Sequence, residues 1–557
     1  MTVTSKGRKL RAIDLYSGVG GWSLGLRLAG IEVVGSYDRW GIANETNFKN
    51  NHHQAQTVDV RRLQLTDLPT DIDIVVGSPP CTEFSFSNRG GSGDLEDGLR
   101  DVIQFLSIVE HVRPRVWAME NVPRMAKIIE KESKEGGALQ RFSALGIDTR
   151  ILNLAEFGVP QRRLRCIAGN FDFDLLRSYD SKTSKLTLGQ VVKSLGKSEK
   201  ISDPVFGLEV VRSKLSDHVP EEPLNDEEIR INRAAKVTHT VYNAMSFPDR
   251  LDKPVRTITA TCTRVSRESI VIASPEQPGM VRRLTVRERA SLQGFPVTFQ
   301  FYADRHSHKL RMIGNAIPPA FTYYLAHAMV NTPVSEIQSL AEVGKEFKGP
   351  VPLAVSAPPD RPGARFNPKR RFKFAIPSLQ LKSGVRFEVS NCAVTDPVTW
   401  GIDFFFGNSK SIIALSLDAH LRSRLLGMMP PNLRRAVETS LGTLDKFLST
   451  ACVDDMQRIW SHKGPGVTTP FMLLDQLDLA GDSLRKVLSE HESFTQDALK
   501  EAISLEHGDD YADHLPGLAK LTRNRALIVA GLLVGATANV RLQREDVRPA
   551  RRAKSAA

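Results

Sequence analysis

The chain has 557 residues, too many for one ordinary domain, and with 41% hydrophobic and 25% charged residues it has the composition of a globular protein with a buried core. Its 75 Lys and Arg outnumber 63 Asp and Glu, and the resulting formal charge of +12 points either to a polyanionic partner, nucleic acid first, or to a solvated basic surface. Five cysteines, none in a CxxC pair, argue against a disulfide framework or a Cys-rich zinc site, and the polar stretch Met1–Arg11 and the short apolar stretch Ala526–Val540 read as neither signal nor membrane span, so the expected location is the cytoplasm.

In chain order, Arg11–Tyr16 reads as a buried strand, followed by a Gly-rich turn, Ser17–Gly21, and a helix through Leu28. Ile31–Ser36, Ile72–Gly77 and Val116–Glu120 read as further strands, with helical patterns between them such as Leu99–Val112. This alternation predicts an α/β fold, a Rossmann-like, mostly parallel sheet covered on both faces, with ligands outside the carboxyl ends of its strands. The polar punctuation falls at those ends: Ser17–Gly21, Asp38, Ser78–Cys81 and Glu120–Asn121. Residues 1–170 are thus expected to form the first part of this core. Residues 171–280 are less periodic and read as a smaller, irregular domain, and 281–342 return to helical patterning as the second part of the core. The stretch 343–363 carries Pro350, Pro352, Pro358, Pro359 and Pro362 and reads as a linker. Residues 364–557 read as an additional C-terminal α+β domain of unknown function, with strands at Phe372–Ile376, Val385–Val389 and Ile412–Leu417 before a mainly helical remainder in which Ala526–Val540 is a buried helix.

Several of these positions carry chemistry. The run Asp14-Leu-Tyr-Ser-Gly-Val-Gly-Gly21 leaves a strand and opens a helix, where glycines let backbone approach a ligand and free N–H groups are on offer; a turn used only for packing looks the same. Asp38 ends the second strand, where an acid accepts from ribose hydroxyls or serves as a helix N-cap, and Asp59 is placed to accept from an adenine amino group. Together the three describe an adenosine-bearing cofactor. In Ser78-Pro-Pro-Cys81 a thiol is held after two fixed φ angles at a strand end, where a nucleophile belongs. Glu120, in Met119-Glu-Asn-Val122, is suited to donate a proton or hydrogen bond to a heterocycle nitrogen. Arg163 and Arg165 alternate along an extended segment and share a face, able to hold a carbonyl oxygen or a phosphate, or to lie on a solvated edge strand. No metal site is expected.

The ordered series DLYSGVGG, SPPC, MENV, GVPQRRLR, Arg283-Leu-Thr-Val-Arg-Glu-Arg-Ala-Ser-Leu-Gln-Gly-Phe-Pro296 and Ile313-Gly-Asn-Ala-Ile-Pro-Pro319 resembles the motif set of the DNA (cytosine-5)-methyltransferases, over roughly residues 9 to 332. The resemblance implies S-adenosyl-L-methionine as methyl donor and a cytosine in double-stranded DNA, flipped out of the helix, as substrate. It implies Cys81 as the nucleophile on C6, Glu120 at the base's N3 and amino group, and Arg163 and Arg165 near the base and its carbonyl oxygen. Asp14, Tyr16, Gly18, Gly20, Gly21, Asp38, Asp59 and Asn315 match cofactor-pocket positions. The helix after Pro319 is expected to pack beside the first motif. Tyr16 replaces the family's usual Phe, and Arg39 stands where an aromatic residue often stacks on adenine, with Trp40 one position later. A loop at Asn88–Gly98 is expected to close over the base.

The resemblance also implies a role in a restriction-modification or related defence system, action as a monomer on DNA, and a cognate restriction endonuclease or defence subunits as further partners. Target choice is expected within 171–280, with His218, His239, Asn243, Arg256, Thr263, Arg264 and Arg267 as groove or phosphate contacts. The segment Arg365–Phe374, which interleaves basic residues and aromatics, suits a nucleic-acid contact or an edge strand, and the region after Ala364 is expected to bind DNA or a partner. Two other functions fit less well: a tRNA cytosine-5 methyltransferase, against which Phe84-Ser85 follow the cysteine in the manner of the DNA enzymes, and a catalytically silent DNA-binding scaffold, against which Cys81, Glu120 and Arg165 are all present.

Overall fold

The computed structural model of the chain describes residues 8–80, 94–196, 198–237, 244–345, 351–361, 366–381, 385–392, 398–408, 411–513 and 515–542. It divides into two units: unit 1 is Met1–Ile229 with Ser246–Asp360, and unit 2 is Arg230–Met245 with Arg361–Ala557.

Unit 1 is organised by a seven-stranded sheet made of β1 (Arg11–Leu15), β2 (Glu32–Asp38), β3 (Ala55–Thr57), β4 (Ile74–Gly77), β5 (Val116–Asn121), β6 (Asp148–Asn153) and β8 (Leu164–Gly169). Their order is β3-β2-β1-β4-β5-β8-β6. β1 pairs in parallel with β2 and β4, as do β2 with β3 and β4 with β5, whereas β8 runs antiparallel to both β5 and β6. The segment carrying Arg165 is therefore interior to the sheet, not a solvated edge. β1 and β4 are buried on both faces, which is why their sequences are apolar runs without alternation.

Helices α1 (Gly21–Leu28), α2 (Gly41–Asn51), α3 (Leu95–Val112) and α4 (Arg124–Glu132) connect the strands. α3 begins four residues earlier than its apolar pattern indicates because the Asp94 carboxylate accepts from the N–H groups of Glu96 and Asp97. Of the loop expected at Asn88–Gly98, residues 95–98 are thus helix, and 88–93 lie outside the described residues.

The short strand β7 (Gln161–Arg162) pairs with β11 (Val255–Arg256), while β9 (Lys200–Ser202) pairs with β10 (Glu209–Val211) and β12 (Val271–Ala273) with β13 (Val281–Arg283). Helices α5 (Phe173–Ser178), α6 (Leu188–Ser194), α8 (Val286–Leu292), α9 (His306–Asn315), α10 (Pro319–Met329) and α11 (Leu340–Gly344) complete unit 1. α10 packs against α1 as expected: a Cβ on Gly25 would sit 2.1 Å from Thr322 Oγ1, and the Thr322 hydroxyl donates to the Gly21 carbonyl at 2.8 Å.

Two expectations need correction. The stretch 171–280 does not form a body of its own. Phe173, Leu176 and Tyr179 share a core with α10, and Leu188 and Val191 share one with Val286 and Phe295. Only residues 230–245, beginning inside helix α7 (Asp226–Lys236), belong elsewhere. Nor is 343–363 simply a linker. The described residues 351–360 lie on unit 1, where Lys309 Nζ donates to the Val355 carbonyl at 2.6 Å and the Asp217 N–H to Ser356 Oγ at 3.0 Å. The physical reason is the fully buried Lys309–Asp217 pair (2.7 Å), whose remaining hydrogen-bonding capacity must be met.

In unit 2 an antiparallel sheet, β14 (Lys373–Ala375), β15 (Arg386–Cys392), β16 (Thr399–Asn408) and β17 (Ser411–Leu415), is ordered as numbered. It is joined by α12 (Ala419–Gly427), α13 (Pro431–Thr450), α14 (Val453–Trp460), α15 (Pro470–Ser489), α16 (Glu492–His507), α17 (Leu518–Arg523) and α18 (Arg525–Arg541). α18 is apolar on every side because it runs through the centre of this core, with Gly531 against the Phe387 ring and Gly535 against Leu417. No helix among the described residues is long and apolar enough to cross a membrane. The segment that ends at Phe374 runs into β14, an edge strand of this sheet, which is one of its two expected readings; Phe372 is buried and Phe374 packs on the core, so these two rings do not present themselves for base stacking.

Candidate active site

The carboxyl ends of β1, β2, β4 and β5 open into one cleft of about 250 Å³. At one end lies the turn after β1. Tyr16, Gly18 and Gly20 have φ of 53, 51 and 83°. Glycine meets that demand at positions 18 and 20, while Tyr16 bears it and is anchored by its hydroxyl, which lies 3.2 Å from both the Asp101 carbonyl and Asp101 Oδ1. Gly18 faces open space where a Cβ would stand, and Ser17 Oγ is buried with no hydrogen-bond partner among the described residues. Asp38 accepts from the N–H of Gly18 at 3.0 Å and of Trp40 at 2.8 Å, and burial outweighs these donors to hold it above the usual carboxylate range. Asp59 accepts from the Arg61 N–H at 3.0 Å. Trp40 lies under the Arg311 guanidinium, 4.8 Å from the ring centroid, and both line the cleft, as do Asp59 and Asn315.

At the other end, Glu120 on β5 and Arg165 on β8 are adjacent because their strands pair. Arg165 Nε lies 2.7 Å from Glu120 Oε1, with side chains only 12% and 7% exposed. The strand end Ser78–Pro80 borders the same space. It is pinned from two sides: Trp22 Nε1 donates to Ser78 Oγ at 3.0 Å, and Asn121 Nδ2 to the Pro79 carbonyl at 3.2 Å. Cys81, the next residue, lies outside the described residues, as do His239 and Asn243. Among the described cysteines, Cys166 and Cys262 are buried, and burial, with Glu120 nearby, pushes the Cys166 thiol up to about 12.

Arg163 also borders the cleft, but it donates to the backbone carbonyls of Ile258 (3.2 Å) and Gly314 (3.1 Å). Gln161 extends this brace: it accepts from the Ile258 N–H at 2.8 Å and donates to Gln293 Oε1 at 2.6 Å, and Gln293 in turn donates to the Ala316 carbonyl at 2.6 Å. Three separate sequence motifs are thereby tied into one buried knot.

The C-5 cytosine-specific DNA methylase family profile matches residues 10–331, more than half of the chain, and the whole cleft lies within that span. The chain belongs to the DNA cytosine-5 methyltransferase family. The methyltransferase is 29% identical to the Type II methyltransferase M.HindV of Haemophilus influenzae, over 59% of this chain and 100% of that one. It is 26% identical to the Type II methyltransferase M.NgoPII of Neisseria gonorrhoeae, over 58% and 96%. The structure of the S. pombe Dnmt2 methyltransferase superposes with a TM-score of 0.41 at 19% identity, over 58% of this chain and 99% of that one.

Of the residues singled out in the methyltransferase sequence, Tyr16, Gly18, Asp38, Asp59, Glu120, Arg163, Arg165 and Asn315 line the cleft. Asp14, Gly20 and Gly21 stand behind it. Asp14 is fully buried and accepts from the Ser23 hydroxyl at 2.6 Å, while a Cβ at Gly20 or Gly21 would strike Asn47 or the Ile317 carbonyl, each at 2.1 Å. Two of the proposed DNA contacts are also committed internally: Arg256 to Asp249 at 2.7 Å, and Arg264, only 5% exposed, to Glu228 at 2.6 Å. Sequence reasoning passed over Trp22, Arg61 and Arg311, which carry no spacing signal; Arg61 reaches the cleft only because Asp97 and Asp101 on α3 hold it, at 2.9 and 2.7 Å.

Proposed function

We propose that this methyltransferase moves a methyl group from S-adenosylmethionine to C5 of a cytosine flipped out of double-stranded DNA, with Cys81 adding to C6. The observation that carries the reading is the single cleft with two chemically different ends, bordered by the strand end that leads into Cys81. The acid-and-glycine end fits the cofactor. Asp38 has the acceptor capacity for ribose hydroxyls, and Asp59 for a purine amino group. Ser17 Oγ lacks a protein partner, Gly18 leaves room for close approach, and Trp40 offers an aromatic wall. When bound, S-adenosylmethionine supplies an electrophilic methyl on a sulfonium centre.

Cytosine C5 is a weak nucleophile. Addition of the Cys81 thiolate to C6 would form an S–C bond and move the ring's electron pair onto C5, to which bound S-adenosylmethionine would supply the methyl, its S–CH3 bond breaking to leave a neutral thioether; loss of the C5 proton to solvent water would then restore the C5–C6 double bond and expel the thiolate. Glu120, oriented by Arg165, faces the base's N3 and amino group and offsets the charge that develops there, while Arg163 positions the segment that presents Arg165. Extruding the base from the duplex costs a few kcal/mol.

The relatives named above support a further proposal, that the enzyme is the modification partner of a Type II restriction system; we also propose that it acts as a monomer on DNA and that residues of the 171–280 stretch contribute to target choice. Tritiated methyl transfer to duplex DNA tests the reaction. Cys81→Ser should abolish it while cofactor binding by calorimetry stays at the wild-type value, and a variant that keeps full activity overturns the assignment. Bisulfite sequencing of host DNA reads the target.

A further inference from the structure

The positive charge of this protein is not spread evenly. Unit 2 carries 31 Lys and Arg against 21 Asp and Glu, a formal +10, whereas unit 1 carries 44 against 42, a formal +2. The excess that marks the whole chain as a partner for a polyanion therefore sits almost entirely outside the unit that holds the cleft. Unit 2 also takes in residues 230–245, which come from the stretch where target choice is expected.

Inside unit 2 these two features meet in one continuous stack. The Arg230 guanidinium lies 4.3 Å from the Phe471 ring centroid and is fixed by Asp475 at 2.9 Å. Phe471 packs on Trp460 with centroids 5.8 Å apart. The Arg370 guanidinium is sandwiched between Trp460 at 3.6 Å and Phe366 at 3.7 Å, and Phe366 meets His462 at 4.7 Å. Next to Arg370 and His462 in the chain, Lys369, Arg371 and Lys463 are exposed. Among the described residues none of these three is ion-paired with a carboxylate, unlike their neighbours Lys373, held by Glu388, and Arg458, held by Asp455.

The sandwiched rings have guanidinium groups on their faces and so are not platforms for bases. What remains on offer is exposed positive charge without a carboxylate partner among the described residues, and such charge without free rings matches phosphates rather than bases.

We propose that unit 2 is the DNA-docking module of the enzyme and that the corner formed by Lys369, Arg371 and Lys463 seats the phosphate backbone of duplex DNA, rigidly tied to the recognition segment through the Arg230–Phe471–Trp460–Arg370 stack. The proposal rests on the DNA reading given above.

The test uses the full chain with Lys369→Glu, Arg371→Glu and Lys463→Glu combined, and fluorescence anisotropy with labelled duplex DNA over a range of salt. Each lost phosphate contact should lower the slope of log K against log salt by about 0.9, so the slope should fall by up to about 2.7 and affinity by at least about tenfold. The cofactor-induced thermal shift and the rate at saturating DNA should not change. Neutral replacement of the same three residues by Ala should give a smaller loss in the same direction. A control reversing Arg435, Lys446 and Lys500, exposed elsewhere on unit 2, should leave the slope near wild type. An unchanged slope in the corner variants, or an equal fall in the control, overturns the proposal. Methyl transfer is scored in the same samples: a wild-type protein inactive on duplex DNA sinks the reaction assigned above, whereas intact activity with an unchanged slope sinks the docking surface alone.

Discussion

Asp14 ends a buried relay in which the Ser23 hydroxyl donates to its carboxylate at 2.6 Å, Ser23 Oγ meets Ser36 Oγ at 3.1 Å, and Ser36 Oγ meets His53 Nε2 at 2.6 Å. Burial, only partly offset by Ser23, raises Asp14 from 3.8 to about 7, and burial lowers His53 from 6.5 to about 4. The two have opposite linkage. The folded state keeps the Asp14 proton that the unfolded chain releases, so this stability is whole below pH about 4 and is lost as pH rises through about 7. The folded state refuses the His53 proton that the unfolded chain takes up, so that stability is present above pH 6.5 and is lost as pH falls toward about 4. Asp14→Asn keeps an acceptor for Ser23 and removes only the first effect. Between pH 4.5 and 6.5 its unfolding free energy, from urea midpoints, should therefore climb more steeply than that of wild type, by about 1.4 kcal/mol per pH unit. Parallel curves would show that Asp14 is ionised in the fold. The aspartate was visible in the sequence as part of a cofactor turn. Its burial behind that turn was not, because spacing along a strand reports which face a residue takes and not how deep the face lies.

At the scale of elements, the contact between α1 and α10 is set by the absence of side chains. Gly25→Ala places a methyl 2.1 Å from Thr322 Oγ1 and 2.6 Å from Thr322 backbone, so the helices must part, and urea unfolding of unit 1 should show a loss of about 1–3 kcal/mol. Gly442 on α13 is the opposite case. Nothing lies within 4 Å of its added Cβ, and Gly442→Ala should stabilise unit 2 by about 0.5–1 kcal/mol. A stabilised Gly25→Ala or a destabilised Gly442→Ala would contradict this packing. Strands β1, β2, β4 and β5 were legible as apolar runs, and so were the site residues at their ends. Helix α2 was not. Its buried positions are Ala43, Asn44, Thr46, Asn47, Asn50 and Asn51, all but one polar and held by hydrogen bonds such as Asn44 Nδ2 to the Asp38 carbonyl at 2.8 Å and Asn50 Nδ2 to the Gln300 carbonyl at 2.8 Å, so it shows no apolar periodicity. The ten-residue strand β16 was passed over although Trp400, Ile402, Phe404 and Phe406 are buried at alternate positions, because Gly401, Asp403 and Gly407 on its other face are residues that strands disfavour.

For the whole molecule, two units with separate cores predict two unfolding transitions in a calorimeter. Only the transition belonging to unit 1 should move upward when S-adenosylmethionine or its demethylated product is added, because ligand binding stabilises only what it binds. A single transition that shifts as a whole would mean that the units unfold together. The basic composition was legible from the start, but its concentration in unit 2 was not, because residues 230–245 join residues 361–557 across more than a hundred intervening positions of unit 1. That interleaving constrains how the protein is born. As the nascent chain leaves the ribosome, α1 must wait for residues 319–329 before its glycine face is covered, and Arg230 must wait for Asp475 and Phe471. Neither body can mature from the amino end onward. For most of its synthesis the polypeptide carries two unfinished cores at once, an interval when chaperones that shield apolar surface would matter most.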